Sequence, residues 1–213
     1  EHFVIVKDKV KTGTISDIKG LKFSIGRAGS GTERSGLTLM SGVGMGRDDV
    51  HGEYLGYFES AKAMKDKRIQ GANLCAGPPV AAVTDLFATP GMRVNILEFT
   101  DDQLNAINEK TSYPGFRYII PANTYPGQKK EVKTIAQPNF LGIRADVDET
   151  IVYKLTKTIY ENLEYLYSIH QSTKHMKLDS AISGLPAPLH PGALKYYKEI
   201  GMKIPQRLIP PSS

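Results

Sequence analysis

A short apolar alternation, Leu21, Phe23 and Ile25, runs directly into the loop Gly26-Arg27-Ala28-Gly29-Ser30-Gly31-Thr32-Glu33. That loop opens a segment with Leu37, Met40 and Val43 at helical spacing, so the unit reads as strand, glycine-rich loop, helix. Ser30 or Thr32 is the expected N-cap. The same rhythm continues. Glu53-Tyr54-Leu55-Gly56 leads into a helix expected from about 60 to 68, and Ala72-Asn73-Leu74-Cys75 ends in Ala76-Gly77-Pro78-Pro79 before a helix over 80–87. Val94-Asn95-Ile96-Leu97 follows as another strand. Strands alternating with helices at this spacing predict an α/β sheet with crossover connections, whose ligand crevice lies at the strand C-terminal ends.

Composition narrows the field. With 213 residues, 40% hydrophobic and 23% charged, the chain has the make-up of a globular protein with a real core. No run approaches the ~18 apolar residues needed to span a membrane as a helix. The single cysteine, Cys75, excludes an intrachain disulfide and a CxxC pair. A net charge of +5 invites a nucleic-acid reading, but the basic residues fall in short groups mixed with Asp8 and Asp66 rather than along one aromatic-interleaved stripe. A solvated surface is expected instead. Glu1 and the strand-like His2-Phe3-Val4-Ile5-Val6 carry no secretory n-region or h-region, which leaves a cytosolic protein or one whose beginning has been removed.

The second half is less regular. From Tyr113 onward Pro114, Pro121, Pro126 and Pro138, with Gly115 and Gly127, read as a linker or a return crossing. Asp146 with Glu149 suggests a capping box ahead of a helix on which Ile151, Leu155, Ile159, Leu163 and Leu166 keep helical spacing for about four turns. Pro186, Pro188 and Pro191 precede a short helix over 193–200.

Among residues that could carry chemistry, the 26–33 loop fails both nucleotide fingerprints. Arg34 stands where a dinucleotide loop needs glycine, and Thr32-Glu33 where a P-loop needs Lys-Ser or Lys-Thr. Two readings remain open: amides and hydroxyls at a positive helix end cradling a carboxylate, or a plain capped helix start. Cys75, between Leu74 and Ala76, reads as a packed small residue, with a nucleophile as the alternative. The histidines, His2, His51, His170, His175 and His190, show no metal-ligand spacing. His190, in Pro188-Leu189-His190-Pro191-Gly192, is expected in a turn. Asp101 and Asp102 after Thr100 read as helix-start acids, and Tyr153, Tyr160, Tyr165 and Tyr167 as core and rim.

Six motifs in order resemble the TAXI family, the extracytoplasmic solute receptors of one class of TRAP transporter. Gly29-Ser30-Gly31-Thr32-Glu33 resembles its GSGTE, and Tyr54-Leu55-Gly56-Tyr57-Phe58-Glu59-Ser60-Ala61 its YLGFSESA. The stretch Ala76-Gly77-Pro78-Pro79-Val80-Ala81-Ala82-Val83-Thr84-Asp85-Leu86 is similar to AGxPxxAVTDL. Ile120-Pro121-Ala122-Asn123-Thr124-Tyr125-Pro126-Gly127-Gln128 is similar to IPAGTYPGQ, with Asn123 in place of glycine. The segments 144–148 and 184–193 close the match.

The resemblance implies a two-lobed periplasmic-binding-protein fold of type II. Residues 8–135 are then a nearly complete second lobe, and 1–7 with 136–213 a partial first lobe. The family's opening section has no counterpart here, so exposed edges, an incompletely packed long helix and a separate N-terminal fragment as partner are expected. The implied function is non-enzymatic and periplasmic: capture of a small organic acid, glutamate or a related dicarboxylate, and delivery to a membrane permease, without cofactor or metal. The implied ligand contacts are Arg27, Gly29, Ser30, Gly31 and Thr32, the wall Cys75, Ala76, Gly77 and Pro78, and Tyr125. Arg27 reads equally as a surface residue, and Tyr125 as a brace for its turn. A hydrolase or transferase using Cys75, and a surface antigen that kept the fold without transport, stand as alternatives.

Overall fold

The computed structural model describes residues 1–111 and 115–211. The chain forms two compact units, Glu1–Gln137 and Pro138–Ser213. In the first, β1 (His2–Val6), β2 (Lys22–Ser24), β3 (His51–Glu53), β4 (Gly71–Leu74) and β5 (Val94–Ile96) make one sheet in the order β3-β2-β4-β1-β5. β2 runs parallel to both β3 and β4, while β1 lies antiparallel between β4 and β5. Residues 1–7, expected with the C-terminal section, therefore belong to the first unit. Phe3 pairs with Asn73 and Val4 with Ile96, so β1 is an interior strand that the sheet cannot lose.

Side chains alternate across β1 as a strand requires, Phe3 and Ile5 facing one layer and Val4 the other. On the first face pack α1 (Gly31–Gly42) and α4 (Asp101–Lys110), with Leu39, Met40 and Ile107 against Phe3, Phe23 and Phe99. On the second lie α2 (Tyr57–Lys65) and α3 (Ala81–Ala88), through Ala61, Met64, Val83 and Leu86. The expected α/β class and its crossover connections are what the first unit contains. The loop ahead of α1 is shaped by Gly26, whose φ is +131 and where a Cβ would press on the backbone of Glu33 at 2.8 Å and on Thr32. Thr100 caps α4, accepting from Gln103 N while the Gln103 side chain accepts from Thr100 N.

The span read as a linker contains a hairpin instead, β6 (Phe116–Ile120) paired antiparallel with β7 (Val132–Ala136). Tyr113 and Pro114 lie outside the described residues. Of the residues that argued against regular structure, Gly115 and Pro138 flank the hairpin, while Pro121, Pro126 and Gly127 lie in the connecting turn. There Gln128 ties the chain down: its side chain accepts from Tyr125 N and donates to the carbonyls of Pro121 and Lys130. Asn123 adopts a φ of 63, a left-handed conformation that asparagine tolerates better than other non-glycine residues.

In the second unit α5 (Glu149–Glu161) is capped by Asp148, which accepts from Thr150 N and Ile151 N. Asp146, the expected cap, pairs with Arg144 instead. The long helix breaks at Asn162, after which α6 (Leu163–Ile169) begins. α5 packs on α7 (Pro191–Glu199) through Val152, Tyr153, Thr156 and Tyr160. The regular apolar series lies on another side, with Ile151 59% and Leu155 39% exposed. His190 is the N-cap of α7 rather than a turn residue: its Nδ1 accepts from Gly192 N, and its Nε2 is buried without a hydrogen-bond partner among the described residues.

Candidate functional site

The glycine loop leaves the C-terminal end of β2, and the Cys75–Pro79 turn leaves the C-terminal end of the neighbouring parallel strand β4. The two loops are thus placed side by side by the sheet itself, at the end where α/β folds take ligands. Ser30 caps α1 by accepting from Glu33 N at 3.2 Å. Glu33 reaches back to accept from Gly29 N at 2.6 Å, and its other oxygen pairs with Arg47. The loop is therefore held closed by its own side chains.

What the loop offers outward follows from helix geometry. The first amides of a helix have no intrahelical acceptor, and those of Gly31 and Thr32 have none among the described residues. They point from the positive end of a twelve-residue helix. The Ser30 hydroxyl uses a lone pair for the cap and keeps its proton. Arg27, exposed at the mouth of the loop, has no ion pair among the described residues. Two amides, a hydroxyl and a guanidinium on one loop are donors of the kind that take an anion.

Tyr57, at the start of α2, joins the two loops. Its hydroxyl donates to the Cys75 carbonyl at 2.5 Å and lies 2.9 Å from Thr32 Oγ1. A phenol has one proton, so the Thr32 hydroxyl must donate to Tyr57 and meets any ligand only as an acceptor. The Thr32 carbonyl in turn accepts from Asn73 Nδ2 at 3.2 Å. Sequence reasoning missed Tyr57, which in an aromatic-rich helix start reads as apolar packing.

Beneath the turn lies a closed polar chain. Val80 N donates to the Tyr125 hydroxyl at 3.1 Å, that hydroxyl meets His2 Nε2 at 2.8 Å, and His2 Nδ1 meets the Leu74 carbonyl at 3.1 Å. The arrangement is satisfied by a neutral imidazole protonated on Nδ1, with the tyrosine proton shared toward Nε2. Burial holds the imidazole down at about 3 and pushes the Tyr125 phenol up to about 12. Tyr125 is 1% exposed, so the reading of it as a ligand contact is corrected: it braces the turn from inside. Arg27, Gly29, Gly31, Ala76 and Gly77 are exposed, and Ser30, Thr32, Cys75 and Pro78 half-buried.

Burial also pushes the Cys75 thiol up to about 11, far from the thiolate a nucleophile needs. His2, the imidazole of the polar chain behind it, is committed at both nitrogens. Cys75 and His2 are therefore not set up as a nucleophile and base pair. Among the described residues no group of His, Cys, Asp or Glu is placed to hold a metal ion, and no helix is long and apolar enough to cross a membrane.

Residues 1–201 match the model of the NMT1-like family, and the chain belongs to it. Among solved structures the chain is similar to the periplasmic aliphatic sulphonate binding protein SsuA from Escherichia coli, at 18% identity and a TM-score of 0.37. That match covers 46% of this chain and 31% of SsuA, so the chain spans less than a third of that protein.

Proposed function

We propose that this chain is part of an extracytoplasmic solute receptor of the TAXI type, which captures a small organic acid and delivers it to the membrane permease of a TRAP transporter. The observation that carries the reading is the pair of unpartnered amides at Gly31 and Thr32, set beside the free proton of Ser30 and the exposed Arg27. Glutamate or a related dicarboxylate fits this chemistry: one carboxylate takes the helix end and arginine, and the half-buried edge of the Cys75–Pro78 turn walls the carbon chain. Membership of the NMT1-like family supports a solute-binding role. Receptors of this kind close two lobes on the ligand by hinge motion; in this reading the first unit is a nearly complete ligand-facing lobe and the second unit is part of the other. The raised thiol of Cys75 speaks for binding rather than turnover.

Mass spectrometry of the purified protein under native and then denaturing conditions tests the proposal. The expected result is a small carboxylic acid carried by the folded chain, released on denaturation and exchangeable with added glutamate or dicarboxylate. A protein that arrives empty and takes up none of these acids contradicts it.

A further inference from the structure

At the opposite end of the first unit's sheet, where β4 and β5 begin, lies a groove of about 740 Å³. Its rim carries Lys7 and Lys9 from the turn after β1, Lys65 and Lys67 from the end of α2, and Arg93 ahead of β5. Asp8 is the one carboxylate in the lining. Five cations against one acid is a surplus of four, most of the +5 that the whole chain carries.

Part of that charge has a local use. Lys65 pairs with Asp85 at 2.7 Å and Lys9 loosely with Asp8 at 3.8 Å, and cations at the end of α2 complement its dipole. Lys7, Lys67 and Arg93 have no acidic partner among the described residues. Lys67 is also held at a φ of 58, just past the helix, where glycine is the easier residue. The floor is apolar, with Met64 and Ile69 buried at 1% and 3% and Met92 half-buried.

The chemistry of the rim separates two kinds of anion. The amides of Lys7, Gln70 and Met92 are already bonded, to the carbonyls of Arg93, Lys22 and Thr89. The five cations come from three separate segments, so an incoming anion meets long side chains spread round the rim rather than one convergent cradle of the kind that selects a compact phosphate. Spread cations over an adaptable methionine floor suit an extended acidic chain that sets one apolar side chain between Met64 and Met92. We propose that this groove docks an acidic segment of a partner protein, at the end of the sheet away from the glycine loop, so that engagement does not compete with the ligand.

The test is a fluorescence anisotropy titration of the 213-residue chain with a labelled glutamate-rich peptide carrying one central leucine, at low and at ~0.15 M salt. The expected result is salt-sensitive binding that falls at least about tenfold in the Lys7→Glu/Arg93→Glu variant and again when the leucine is replaced by serine. A Lys129→Glu/Lys130→Glu control, outside the groove, changes it by less than about twofold, and Ser30→Ala leaves it unchanged. The milder Lys67→Gln/Arg93→Gln pair serves if charge reversal lowers the melting temperature. Equal losses in groove and control variants overturn the proposal in favour of unspecific attraction. Displacement of the peptide by equimolar tripolyphosphate, or tighter groove-dependent binding to phosphatidylserine vesicles, overturns it in favour of a phosphate-bearing occupant.

Discussion

The Thr32 hydroxyl lies 2.9 Å from that of Tyr57, whose own proton is given to the Cys75 carbonyl at 2.5 Å. One phenol thereby fixes the distance between the two loops and the direction in which the Thr32 proton points. Replacing Tyr57 by Phe frees that proton and unties the loops while leaving the ring to pack. The expected outcome is a stability loss of about 1 kcal/mol, the net worth of a hydrogen bond, with a several-fold change in affinity for the bound acid. Unaltered affinity would place the ligand away from Thr32.

Cys75 provides a second check, on the enzymatic alternative. Its thiol, raised from 9.0 to about 11 by burial, holds roughly a hundredfold less thiolate at neutral pH than an unperturbed cysteine. Iodoacetamide at pH 7.5 should therefore alkylate the folded protein at least about a hundred times more slowly than the unfolded one. A reaction as fast in the folded state would return Cys75 to the list of nucleophiles.

The buried His2 makes stability depend on pH. Its folded-state value of about 3 lies below the ordinary 6.5, so the unfolded chain takes up a proton first as the pH falls. The His2 contribution is whole above about pH 6.5 and is lost progressively from there toward 3, at up to about 1.4 kcal/mol per pH unit. Urea unfolding at pH 7.5 and pH 5 should show this loss, and His2→Gln should flatten it while lowering stability at both. An equal slope in the variant would assign the dependence to other groups.

In the second unit, Gly192 lets α7 touch α5 backbone to backbone: an added Cβ would meet the Glu149 carbonyl and, at 2.6 Å, Tyr153 N. Neither contact is with a side chain that could swing aside. Gly192→Ala should cost about 1–3 kcal/mol as overpacking, read as a lower melting temperature, with the Arg27 loop unaffected.

How far these elements were legible depends on how local their causes are. Ser30, one of the two expected caps of α1, and the acids Asp101 and Asp102 after Thr100 are helix-start signals contained within four residues, and the structure starts both helices there. The β6–β7 hairpin was not legible because Phe116 pairs with Ala136 across a turn holding Pro121, Pro126 and Gly127, and breakers there and on both flanks outweigh the alternation. Asp146 has Glu149 at capping-box spacing and Asp148 does not, yet in the structure Asp146 pairs with Arg144 and Asp148 caps α5. On α5 the periodic Ile151 and Leu155 predicted a buried face, yet α7 packs on the adjacent side. The glycine loop was readable as a capped helix start. The roles of Tyr57 and Tyr125 were not, because they rest on contacts 18 to 123 residues distant in sequence.

The most direct measurement is a calorimetric titration of glutamate and related dicarboxylates into the protein and into its Arg27→Gln and Ser30→Ala variants. The account predicts binding to the parent, weakened about tenfold or more by Arg27→Gln, roughly the 1.4 kcal/mol that separates a paired from an unpaired carboxylate, at an unchanged melting temperature. Ser30→Ala should weaken it as well, with a further loss of about 1 kcal/mol in stability from the missing cap. Equal affinity in the parent and both variants would contradict the assignment of the site, and no binding of any acid to the parent would contradict the receptor itself.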